Sequence, residues 1–108
     1  MEQRIKNIIK ILDDKKAVDI EFFDLSKDDY LVDGVVIATT LNEKHGFSLL
    51  TYLKEDLKPL GEEFLRVEEE AGWTIIDLGD ILVHLMTEEY RKKYSIEEFL
   101  KEQQNKKV

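Results

Sequence analysis

The chain has 108 residues, enough for one domain with a single core and too few for two. Charged residues make up 37% and cysteine is absent, which excludes disulfides and thiolate metal sites. Sixteen basic against twenty-four acidic residues leave a net charge of −8, a balance that repels phosphate backbones and favours a basic protein partner over direct nucleic-acid binding.

The opening segment MEQRIKNIIKILDD has no cationic stretch followed by an apolar run, so it does not read as a secretory signal. No apolar run approaches the ~20 residues of a bilayer span. The expectation is a cytoplasmic protein without membrane contact. Ile5, Ile8, Ile9 and Leu12 fall at helical spacing and predict an amphipathic first helix. Val18 to Leu25 is partly alternating and predicts a strand; Gly34 to Thr39 is a short continuous apolar run, as in a strand covered on both faces. Asn42 is placed to cap a second helix whose buried stripe is Leu50, Leu53 and Leu57, ended by Pro59 and Gly61. Leu65 to Val67 starts a further short strand before the acidic Glu68-Glu69-Glu70.

The stretch GWTIIDLGDILVHLMT, Gly72 to Thr87, predicts two strands around a turn in which Gly79 takes φ > 0. Trp73, Ile75 and Asp77 share one side of the first strand; Leu82, His84 and Met86 share one side of the second. Both faces carry large apolar groups, so a helix covering one face leaves the other for a partner. Thr87 with Glu88 and Glu89 reads as a helix start, and Ser95-Ile96-Glu97-Glu98 has capping-box spacing. The tail from Lys101 to Val108 is polar and reads as frayed. The basic clusters Lys15-Lys16, Arg91-Lys92-Lys93 and Lys106-Lys107 read as helix-end or solvated charge rather than a nucleic-acid stripe. The order α-β-β-α-β-β-β-α specifies one α/β domain, residues 1–108, with a mixed five-stranded sheet and flanking helices.

Few residues suggest chemistry. Asp19 and Glu21 lie two apart in a strand, the spacing of a metal-binding carboxylate pair. The Gly-rich turn that would cradle a nucleotide phosphate is missing, because the strand from Gly34 runs into Thr39-Thr40-Leu41-Asn42. Asp77 and Asp80 sit three apart across a turn, where aspartate is common. His45 and His84 have no ligand spacing. The reading is no catalytic residue, no metal and no cofactor. Trp73 differs, since an aromatic beside an acidic rim matches the usual composition of a protein-binding hot spot.

The segments LDDKKAVDIEFFDLS, VDGVVIATTLNEKH and GWTIIDLGDILVHLMTEEYRKKYSIEEFL together resemble the ribosomal silencing factor (Iojap) family, over Leu12 to Leu100 and in the right order. Trp73, Asp77, Gly79, Asp80, Val83, His84, Tyr94 and Phe99-Leu100 carry the most specific part of the match, with Asp19, Asp24, Leu25, Asp33, Ala38-Thr39 and His45 beside them. Thr40-Leu41-Asn42-Glu43-Lys44 departs from the family's Gly-Thr-Ser-Ser-Arg at that place, and Gly34 replaces a larger side chain. The resemblance implies a nucleotidyl-transferase-like fold without transferase activity. It implies binding to the large ribosomal subunit through its L-fourteen protein, blocking the small subunit from joining. The implied partner surface is Trp73, Ile75, Asp77, Leu78, Asp80, His84 and Met86. Two rival readings stand beside it: a metal-dependent nucleotidyl transferase using Asp19 and Glu21, and a homodimeric interaction module. A monomer or weak homodimer fits the resemblance.

Overall fold

A computed structural model describes residues 1–104. Helix α1 (Glu2–Asp14) leads into strands β1 (Val18–Asp24) and β2 (Gly34–Thr40). Helix α2 (Glu43–Leu57) and a 3-10 turn (Lys58–Leu60) follow, then strands β3 (Arg66–Glu70), β4 (Trp73–Asp77) and β5 (Ile81–Thr87). Two helices, α3 (Glu88–Tyr94) and α4 (Ile96–Gln104), complete the described chain. The five strands form one sheet in the order β1-β2-β5-β4-β3. Only the central β2–β5 pair is parallel, because α2 must cross over the sheet to join them; the other pairs are antiparallel.

The apolar run of β2 suits its interior place between β1 and β5. All seven of its residues are buried, since both sheet faces are covered there. On one face, Ile5, Ile8 and Leu12 of α1 and Leu49, Leu50, Leu53 and Leu57 of α2 pack on Val36, Ala38, Ile76, Val83 and Leu85. Each of the valine, leucine and isoleucine side chains contributes about 1.5–3 kcal/mol by leaving water. On the other face, Leu100 of α4 joins Phe23, Leu25, Val32, Val35, Ile37 and Met86.

Local chemistry sets the helix starts. Asn42 Oδ1 accepts from the His45 backbone N–H at 2.8 Å, and Thr87 Oγ1 accepts from that of Tyr90 at 3.4 Å. The capping box expected at Ser95 does not form. Ser95 takes a left-handed φ of 42° as the C-cap of α3, and its hydroxyl donates back to the Lys92 carbonyl. One expected C-terminal helix is therefore two, broken at Ser95. Helix α4 also runs to Gln104, whose side-chain amide donates to the Asp24 carbonyl. Lys101–Gln104 are thus helical where a frayed tail was expected; the rest of that tail, 105–108, lies outside the described residues. The acidic triplet Glu68-Glu69-Glu70 belongs to edge strand β3 rather than to a loop. Charged edges of this kind discourage sheet-to-sheet pairing.

Candidate functional site

The sheet face opposite α1 and α2 is only partly covered. Helices α3 and α4 shield its β1–β2 half, while β3, β4 and the lower part of β5 are left with half-buried side chains. Register brings those side chains together: Trp73 faces Met86, Ile75 faces His84, and Asp77 faces Leu82. On the outer side, Glu70, Glu68 and Arg66 stand opposite Trp73, Ile75 and Asp77. The result is an apolar strip of Trp73, Ile75, Leu82 and His84 bordered by carboxylates.

Trp73 anchors the upper end. Its indole N–H donates to His84 Nδ1 at 3.1 Å. Its ring lies 5.1 Å from that of Tyr94, an exposed residue of α3, and Tyr94 in turn meets Tyr90 edge-on at 5.8 Å. The indole is thereby held on two sides with part of its surface open. Burial pushes the His84 imidazole down to about 4, so the ring is neutral at pH 7.

Of the residues expected on this face, Trp73, Ile75, Asp77 and His84 are brought together. Leu78 and Asp80 are not, and Met86, although it stands opposite Trp73, has no surface open to a partner. Met86 is fully buried, because α3 and α4 close over the upper end of β5. Leu78 is buried in the core under α1 and α2, since the turn carries its side chain to the other face. Asp80 is held by Arg4 of α1, whose guanidinium chelates both Asp80 (2.6 and 2.9 Å) and Glu62 (2.7 and 2.8 Å). That bonding keeps the Asp80 carboxyl below its ordinary range. Asp77 has an inward duty as well: its Oδ1 accepts from Gly79 N–H at 2.7 Å, in the turn where Gly79 takes φ 97°. Leu82, Glu68, Glu70 and Tyr94 were missed. Alternation along β5 already placed Leu82 beside His84, whereas the β3 carboxylates required a strand extending through Glu70.

The Asp19–Glu21 pair does not sit in the regular strand geometry expected of it. Asp19 takes a left-handed φ of 48° within an irregularity of the β1–β2 register, which breaks the alternation. A cation from the chain's own α3 occupies the place. The buried Arg91 guanidinium approaches Glu21 at 3.3 Å and Glu97 at 3.6 Å, and donates to the Asp19 carbonyl and to Thr39 Oγ1. His45 is likewise structural: Nδ1 accepts from Leu41 N–H at 2.9 Å and Nε2 donates to the Lys15 carbonyl at 2.8 Å. Among the described residues no group of three or more His, Cys, Asp or Glu is arranged to hold a metal. No helix among them is long and apolar enough to cross a membrane.

The sequence model of the family described as "Ribosomal silencing factor during starvation" matches residues 1–108. The chain belongs to the ribosomal silencing factor family. Ribosomal silencing factor RsfS of Chromobacterium violaceum is 32% identical over 94 residues, covering 85% of this chain and 77% of that protein. The RsfS of Bacillus subtilis is 30% identical over 98 residues, covering 85% and 83%. A crystal structure of a Chromobacterium violaceum protein superposes with a TM-score of 0.85 at 30% identity, over 92% of this chain and 84% of that one. A second crystal structure, from Bacillus halodurans, gives 0.80 at 29%, over 92% and 94%. The α/β architecture expected from the resemblance is therefore that of solved relatives. This silencing-factor domain keeps Trp73, His84 and the acidic border together on one open face.

The neutral His84 has a measurable consequence. Its unfolded form takes up a proton near pH 6.5, whereas the folded form resists until about pH 4. Stability is fully present above pH 6.5 and is lost as pH falls toward 4. The expected loss is on the order of 2 kcal/mol. Urea midpoints between pH 7 and 4.5 should fall more for the parent than for His84→Gln; parallel profiles would refute this.

Proposed function

We propose that this silencing factor represses translation by binding the large ribosomal subunit through its L-fourteen protein, so that the small subunit cannot join. The observation that carries the reading is the open strip of Trp73, Ile75, Leu82 and His84 edged by Glu68, Glu70 and Asp77. An apolar strip with a carboxylate border suits a basic protein surface. The charge speeds and orients encounter, and burial of the strip supplies affinity. Repression of this kind needs occupancy alone, with no covalent step and no cofactor, and its place of action is the cytoplasm. A transferase reading finds no support in Asp19 and Glu21, which sit against Arg91.

The test is co-sedimentation with purified ribosomal subunits. Large subunits should carry the protein into the pellet, less so as salt rises and screens the acidic border, and small subunits should not. Pelleting with small subunits alone would overturn the proposal.

A further inference from the structure

We propose that His84 Nε2–H is a recognition donor, and that the partner seats a neutral carbonyl oxygen against it. The inference rests on the reading of the Trp73 face as the ribosome-facing surface and adds what that surface demands of its partner.

An indole N–H can only donate. Its 3.1 Å bond to His84 Nδ1 therefore requires a lone pair there, and a neutral imidazole then carries its proton on Nε2. The Trp73–His84 pair thus fixes the tautomer from inside the molecule. Nε2–H has no acceptor among the described residues, and the nitrogen is not sealed from solvent. Its surroundings are apolar: Ile75 lies across the strand on one side, Ile37 on the other, and Leu82 and Met86 lie two residues away along β5.

A donor framed this way discriminates between partners. A purely apolar surface pressed onto the strip would strip water from Nε2–H and return nothing, which costs more than the contact gains. A partner carboxylate would meet Glu68, Glu70 and Asp77, while the nearby Arg66 is already paired with Glu68. A peptide or side-chain amide carbonyl satisfies the donor without adding negative charge. His84 therefore adds specificity where Trp73 adds buried area.

Two substitutions separate this role from a mere prop for Trp73. His84→Asn keeps an acceptor at the Nδ1 position and removes the outward donor. His84→Gln keeps a donor near the Nε2 position and gives up the bond to Trp73. With purified large subunits as the probe, and thermal melts confirming folding, His84→Asn should bind about tenfold weaker or worse, the effect of one buried donor lost or left unpaired. His84→Gln, which restores a donor at the cost of the Trp73 bond, should bind several-fold more tightly than His84→Asn. The reverse order, or equal losses, overturns the donor role. Trp73→Ala in the same assay locates a failure. If it binds like the parent, the face itself is misassigned and the donor role falls with it; if it loses binding while His84→Asn does not, only the donor role falls.

Discussion

Trp73→Ala is expected to weaken binding to the large ribosomal subunit by about 2 kcal/mol or more, roughly 30-fold, while the domain stays folded. The indole is half-buried: it rests on Met86 and Tyr94 and is tethered by His84, yet part of it is open at the edge of an apolar strip. Truncation removes area that a partner would cover, and it also frees Tyr94 and His84 from their common support. Stability should therefore drop by less than the ~3–5 kcal/mol that follows emptying a fully buried aromatic site. Pelleting and thermal melts on the same preparation decide it. Parent-like binding, or a domain that no longer folds, would assign Trp73 to the core and leave the strip without an anchor.

That Trp73 groups with Ile75 and Asp77, and His84 with Leu82 and Met86, was legible from alternation alone, because a strand's period of two leaves no freedom within it; that the two groups share one face was implied by the resemblance and needs the β4–β5 register. The buried β2 was legible for a similar reason, since only a strand covered on both faces tolerates Gly34-Val-Val-Ile-Ala-Thr. Residues whose roles depend on distant partners were not legible. Asp80 reads as an exposed turn aspartate until Arg4, 76 positions earlier, is seen to chelate it. Leu78 and Met86 have the same local pattern as the half-buried residues near them; what buries them is where the turn points and where α3 folds back. Ser95 carries the letters of a capping box, but ending α3 required a left-handed residue there, and that demand prevailed. The Asp19–Glu21 pair failed for the same kind of reason. A backbone irregularity at Asp19 and a cation from the far end of the chain, bonded to the Asp19 carbonyl and paired with Glu21, decide how that stretch is arranged, and neither leaves a signal within the strand itself.

That cation gives the largest stability effect expected outside the aliphatic core. Arg91→Ala should destabilise the domain by about 3 kcal/mol or more, the range for breaking a buried charge cluster by removing one member. Arg91 is only 7% exposed and serves four neighbours from three elements: the Asp19 carbonyl and Glu21 on β1, Thr39 on β2, and Glu97 on α4. Without it Glu97, one oxygen of which is buried and unpaired among the described residues, loses its counter-charge, and the arginine's links from α3 and α4 to the sheet are lost, leaving α4 the Gln104 bond to the Asp24 carbonyl. Arg91→Lys should recover only part of the loss, since one ammonium cannot reach acceptors spread around a planar guanidinium. For a domain of this size the alanine variant should melt roughly 15 °C lower. The effect should extend to binding, because α3 carries the Tyr94 ring that holds Trp73 in place. Arg91→Ala should therefore weaken large-subunit pelleting even well below its melting temperature, although Arg91 is not a residue of the strip. A melting temperature within about 3 °C of the parent would mean that apolar packing, by Tyr90 on α3 and by Ile96 and Leu100 on α4, docks the two helices and that the arginine cluster contributes little.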